Sequence, residues 1–206
     1  LPRYRGPSPI TAAILGGEKE TGVTVQRLAL SVDSGEIIAA RSLPLTGAET
    51  TGSLSETLGL LGAELLAQAL PAWLRGDVPS RGQDEAQASY CRLVRKSDGR
   101  VDWRRPAAEI ERMIRAYDPW PRAHTSLGGR QLNLLVGGVH PDSSLGAGKP
   151  EGLVLGVDNR YGILVRAGGG ALYLTRLQLQ SKKPLDWRSF LNGQPDLTGA
   201  HLGEGQ

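Results

Sequence analysis

"TGVTVQRLALSVDSGEIIAARSLPL" (residues 21–45) decides how the first half of the chain folds. Val23, Val25 and Arg27 alternate with Thr24, Gln26 and Leu28, and the β-branched content predicts a strand over 21–30. Residues 36–45 predict a second strand, and the "VDSG" between them (32–35) has turn chemistry, so the stretch reads as a hairpin. Helices flank it. "ITAAILGG" (10–17) reads as a short helix stopped by Gly16 and Gly17. Residues 53–76 form the clearest helix in the chain. Ser53 and Glu56 have capping-box spacing, and Leu54, Leu58, Leu61, Leu65, Ala69 and Trp73 make one apolar face. Pro71 is expected to kink or reset its last turn. That face needs a cover, and two strands make a poor sheet. The expectation is that part of the first domain lies outside the chain, in keeping with an opening Leu1 and a single Met at position 113.

Residues 77–89 are polar and contain Gly and Pro, so they read as a boundary. "RPAAEIERMIRAY" (105–117) predicts a helix with Ile110, Met113, Ile114 and Tyr117 on its apolar stripe. From Arg122 onward four to six short strands joined by Gly-rich turns point to a small barrel or sandwich. "PLDWRSFLNGQPDLTG" (184–199) offers a last short helix, followed by a disordered tail. The domains are therefore placed at 1–82, 83–104 (a basic linker) and 105–206.

The composition is that of a soluble globular chain, with 39% hydrophobic and 22% charged residues among 206. No signal-peptide pattern opens the chain, and no segment reaches the roughly 18 uninterrupted apolar residues of a membrane span. The lone Cys91 cannot form an internal disulfide, which fits a reducing compartment. Charge is uneven: residues 1–82 carry 7 basic and 8 acidic side chains, residues 83–206 carry 17 and 13. Such an excess suits phosphate backbones and equally suits a solvated surface.

Few residues carry recognisable chemistry. There is no Walker motif, paired-Cys spacing or HExxH, and His124, His140 and His201 are scattered, so no metal is expected. "GAGKP" (146–150) lacks the strand–loop–helix setting of a phosphate loop and reads as a turn. Asp33 sits in a turn between two apolar strands. Turn chemistry alone accounts for an Asp there. The other reading is an acid at a strand end that orients a histidine or polarises a substrate.

"LPRYRGPSPITAAILGGEKETGVTVQRLALSVDSGEI" (1–37) resembles the central segment of the methionyl-tRNA formyltransferase family. Leu1–Gly6 match the end of its Ser-Leu-Leu-Pro-Arg-Tyr-Arg-Gly run, and Gly17, Glu18 and Glu20–Thr24 match its Gly-Asp/Glu-x-Glu-Thr-Gly-Val-Thr motif. Val32–Glu36 match its Leu-Asp-Thr-Gly-Asp loop with conservative changes. Residues 83–134 and "QLQSKKPLDWRSFLNG" (178–193) are also family-like.

The resemblance implies an α/β plus β architecture: the C-terminal remnant of a Rossmann-like formyltransferase domain, then an oligonucleotide-binding-like β-barrel. It implies transfer of a formyl group from 10-formyltetrahydrofolate, the co-substrate, to the amine of initiator methionyl-tRNA in the cytoplasm. Asp33 matches the carboxylate that pairs with the family's catalytic His. Leu1, Pro2, Ser31 and Val32 would line the folate pocket. The catalytic Asn and His would precede Leu1, so the isolated chain is expected to be inactive. Arg92, Arg95, Lys96, Arg100, Lys182 and Lys183 are the expected tRNA contacts; between 92 and 122 nine basic residues stand against five acidic ones. For Arg112 and Arg115, ion pairs along the helix are the better account. No oligomeric state follows, and the parent is taken as a monomer. Two rival functions are a folate-dependent formyltransferase acting on an amino-sugar nucleotide and a non-catalytic RNA-binding barrel.

Overall fold

The computed structural model describes residues 1–203. The first of its two units is Leu1–Val94. Helix α1 (Pro9–Gly16) has Pro in its first turn and ends at Gly17, whose φ of 68° closes the C-terminus. Strands β1 (Glu20–Gln26) and β2 (Ile37–Pro44) pair antiparallel, with Gly22 opposite Ser42 and Thr24 opposite Ala40. Helix α2 (Thr51–Leu74) buries Leu54, Leu58 and Leu65, and it packs on both strands. By length and composition α2 is apolar enough to cross a membrane.

Two local expectations change. The first strand stops at Gln26, and 27–36 is a loop rather than a tight turn. Leu28 and Leu30 are fully exposed, so the end of the predicted strand faces no sheet. One pair of backbone groups still spans the loop base, with the Arg27 N–H donating to the Glu36 carbonyl at 2.9 Å. The cap of α2 lies earlier than 53: the Ser53 N–H donates to the Thr50 hydroxyl at 3.2 Å, and the Thr50 N–H to the Ser53 hydroxyl at 3.0 Å. Thr50 is extended (ψ 165°), which is the conformation an N-cap needs. The helix runs through Pro71 as far as Leu74.

Residues 83–94, the first half of the stretch read as a linker, return to the start of the chain. The Arg5 N–H donates to the Ser89 carbonyl and the Cys91 N–H to the Arg5 carbonyl, both at 2.8 Å. The cause is the Arg5 side chain, which is only 1% exposed. A buried guanidinium needs acceptors for its five N–H groups. Gln83, Glu85 and Tyr90 supply them: Oε1 of Gln83 at 2.8 Å, the two Glu85 oxygens at 2.7 and 2.9 Å, and the Tyr90 hydroxyl at 3.3 Å. The hydrogen bonds it donates to Glu85, and then to Tyr90, raise the Arg5 pKa further above its ordinary value.

The second unit, Arg95–Gln206, opens with a single 3-10 turn (Lys96–Gly99) and helix α3 (Ala107–Ala116). Ile110, Met113 and Ile114 are buried, the stripe read from the sequence. Six antiparallel strands follow: β3 (Ala123–Leu127), β4 (Arg130–Val139), β5 (Val154–Asp158), β6 (Gly162–Ala167), β7 (Gly170–Leu179) and β8 (Leu185–Asp186). Their order is β3-β4-β7-β6-β5, with β8 added on β7. Helix α3 packs on β4 and β7. Helix α4 (Trp187–Asn192) sets Phe190 into the core.

The tail up to Gly203 is ordered, contrary to the expectation from sequence. Leu197 and Leu202 are buried, and the Gly203 N–H donates to the Ser126 carbonyl at 3.0 Å. Two isolated leucines carry no periodic signal, so composition alone could not show that they anchor. Residues 204–206, the end of that tail, lie outside the described residues.

Arg5→Leu removes the charge that gathers Gln83, Glu85 and Tyr90. Hydrogen exchange should then accelerate at the Cys91 amide and leave the β6 and β7 amides unchanged. Unaltered protection at Cys91 would show that the guanidinium does not hold the segment.

Candidate functional site

Within the first unit a cleft of about 520 Å³ opens over the β1–β2 hairpin. Asp33, Leu1, Pro2, Tyr4, Glu18 and Gln26 are among its lining residues. Ser31 and Val32 are exposed and do not line it. The structure therefore brings three of the five expected pocket residues, Asp33, Leu1 and Pro2, into one cavity.

Asp33 is held by its own loop. Its φ is 53°, a left-handed conformation in which Asp is tolerated better than most residues. One carboxylate oxygen accepts the Gly6 N–H at 2.8 Å and the other accepts the Gln26 amide at 3.2 Å. A carboxylate has about four acceptor positions. Two protein donors thus fix its plane and leave capacity for another donor in the cleft. The loop also requires glycine at position 35: a Cβ there would lie 1.7 Å from the Arg27 carbonyl oxygen.

A second cluster lines the same cleft. The Tyr4 hydroxyl donates to Glu18 at 2.5 Å, and the Arg3 guanidinium pairs with both Glu18 oxygens. The Tyr4 hydrogen bond, followed by Arg3, holds the Glu18 carboxyl below its ordinary value. Burial and then Glu18 push the Tyr4 phenol up. In the sequence these residues carry no signal beyond matching a motif. Tyr4 is also held in the left-handed region (φ 58°), which no local pattern announces.

Of the six expected basic contacts, Arg92 lies in the first unit; Arg95, Lys96, Arg100, Lys182 and Lys183 lie in the second, all exposed. These five are linked through the fold. Gly99 packs so closely on the Arg122 carbonyl that a Cβ would come within 2.2 Å of it. Arg122 donates to the Gln178 side-chain oxygen at 2.6 Å, and the Gln178 amide donates to the Lys182 carbonyl at 2.8 Å. A chain of contacts thus runs from the 96–100 turn through Arg122 and Gln178 to the Lys182 carbonyl. Other arginines are paired: Arg115 in α3 with Glu111, and Arg105, just ahead of α3, with Glu109, each at i,i+4 spacing. Among the described residues no group of three or more His, Cys, Asp or Glu could hold a metal ion.

The two halves match two family descriptions. Residues 1–70 match formyl transferase, and residues 93–195 match the formyl transferase C-terminal domain. Methionyl-tRNA formyltransferase of Treponema denticola is 42% identical over 198 residues, covering 95% of this chain and 62% of that protein. The same-named protein of Chloroflexus aggregans is 42% identical over 200 residues, covering 96% and 64%. The fold resembles HypX from Aquifex aeolicus, solved in complex with tetrahydrofolic acid, with a TM-score of 0.68 at 23% identity over 94% of this chain and 34% of HypX. The architecture is thus the α/β formyltransferase type. The chain belongs to the formyl transferase family. It spans 62% of the length of the Treponema relative.

Gly35→Ala forces Arg27 and the loop apart. Overpacking of this kind costs about 1–3 kcal/mol. A denaturant titration of the first unit should show that loss, whereas an unchanged midpoint would mean the loop yields freely.

Proposed function

We propose that the protein containing this chain transfers the formyl group of 10-formyltetrahydrofolate to the α-amine of initiator methionyl-tRNA. The carrying observation is the 42% identity to methionyl-tRNA formyltransferases over 95% of the chain, across both units. In the reaction the amine nitrogen bonds to the formyl carbon and the bond from that carbon to folate N10 breaks. The amine gives up a proton and N10 gains one.

Asp33 is assigned the carboxylate role. Its free acceptor positions suit an imidazole N–H: the pair would fix the ring and favour its protonated form, so that charge developing on the formyl oxygen is stabilised. The family resemblance puts that His, and an Asn that donates to the same oxygen, ahead of the present Leu1. Leu1 and Pro2 would border the folate. The cleft, about 520 Å³, falls in the range of roughly 300–1,000 Å³ typical of small-molecule sites.

The domain roles follow the same reading. Residues 1–82 act as the C-terminal part of a Rossmann-like formyl-transfer domain and 83–104 as a basic connection. Residues 105–206 form an oligonucleotide-binding-like barrel that holds the tRNA, in the cytoplasm. The exposed turns bearing Arg95, Lys96, Arg100, Lys182 and Lys183, joined through Arg122 and Gln178, support a phosphate-contacting face.

In the full-length protein containing this chain, Asp33→Asn should lower kcat by about 10²- to 10⁴-fold, with tRNA affinity and thermal midpoint nearly unchanged. Near-normal turnover would reduce Asp33 to a turn residue. For the basic face, Arg95→Ala with Lys96→Ala should weaken tRNA binding and flatten the plot of log affinity against log salt by about 1–2 in slope. An identical salt slope would remove both residues from the phosphate contact.

A further inference from the structure

Resting on the assignment of Asp33 above, we infer that Gln83 and Gln26 are positioning residues: with Arg5 they form a one-way hydrogen-bond relay that sets the Asp33 carboxylate. The relay begins at a group that can only donate. Nε and Nη2 of Arg5 donate to Oε1 of Gln83 at 3.2 and 2.8 Å. The Gln83 amide nitrogen then faces three oxygens: the Asp33 carbonyl at 2.8 Å, the Gly35 carbonyl at 2.7 Å and Oε1 of Gln26 at 3.3 Å. Gln26 in turn donates from its amide nitrogen to the Asp33 carboxylate at 3.2 Å.

Only one orientation of each amide satisfies this set. A reversed Gln83 would put its oxygen against two carbonyl oxygens and its NH₂ against a guanidinium that cannot accept. A reversed Gln26 would put oxygen against a carboxylate. Both ends of the relay are therefore polarised in the same direction, from the Arg5 cation to the Asp33 anion. The same Gln83 amide holds the backbone on either side of Ser34, so the carboxylate and the loop carrying it are fixed together. The Gly6 N–H, one residue beyond Arg5, binds the other Asp33 oxygen at 2.8 Å and completes the clamp. Residue 83 is thus more than a link between domains: it reaches back about fifty positions to position an acid in the cleft.

The test uses the full-length protein, steady-state formylation of initiator methionyl-tRNA, and thermal midpoints. Gln83→Glu keeps shape and the Arg5 pairing but replaces the donor with oxygen, and Gln26→Leu cuts the last link. Each should lower kcat by about 10- to 100-fold, the scale of a misplaced group, with KM for both substrates within about twofold. Because both residues act through Asp33, the double variant Gln26→Leu/Asp33→Asn should be no slower than Asp33→Asn alone. If the two glutamine variants keep kcat while Asp33→Asn collapses, or if the losses multiply, the relay is overturned and the role of Asp33 stands. If Asp33→Asn itself retains activity, the reading of Asp33 fails and the relay with it. A glutamine variant that melts early yet shows normal kcat below its midpoint also overturns the relay, because the residue is then only structural.

Discussion

The first unit depends on a buried cation. The guanidinium of Arg5 cannot shed its charge and cannot accept a hydrogen bond, so burying it obliges the chain to bring acceptors to it. Gln83 and Glu85 arrive from about eighty residues downstream. That requirement carries the 83–94 segment back beside the start of the chain and presents the Gln83 amide to the Asp33 loop. One electrostatic need thereby determines both where the polypeptide goes after α2 and how an acid is held in the cleft. Burying a charge costs stability, which is offset here by full hydrogen bonding with fixed geometry.

Around that clamp the ordinary forces suffice. Helix α2 packs on the hairpin and on α1 and buries Leu54, Leu58 and Leu65. In the second unit Ile110, Met113 and Ile114 close α3 over the antiparallel sheet, and Trp103 is buried with its indole N–H donating to Thr125 at 3.1 Å. Polar groups placed on these scaffolds divide the tasks. The cleft of the first unit holds the Asp33 and Glu18 carboxylates with their donors. The exposed lysines and arginines of the second present positive charge.

Periodic features were legible in the sequence and long-range ones were not. The stripes of α2 and α3 and the hairpin pairing follow from spacings of three, four and two residues. The strand predicted as far as residue 30 overreaches, because the apolar Leu28 and Leu30 belong to an exposed loop. Asp33 was visible through its turn and its motif, but its φ and its two donors were not. Gln83 lies in a polar stretch with no period, so nothing local separates it from linker. The Leu197 and Leu202 anchors were hidden for the same reason. The family motif marked Arg5 but could not show that it is buried.

Substrate choice bears most directly on the central claim. The full-length protein should be given 10-formyltetrahydrofolate together with initiator methionyl-tRNA and, separately, an amino-sugar nucleotide, and the formylated product quantified in each case. The account predicts formyl-methionyl-tRNA and no formylated sugar. Formylation of the sugar nucleotide with the tRNA left unmodified would contradict it.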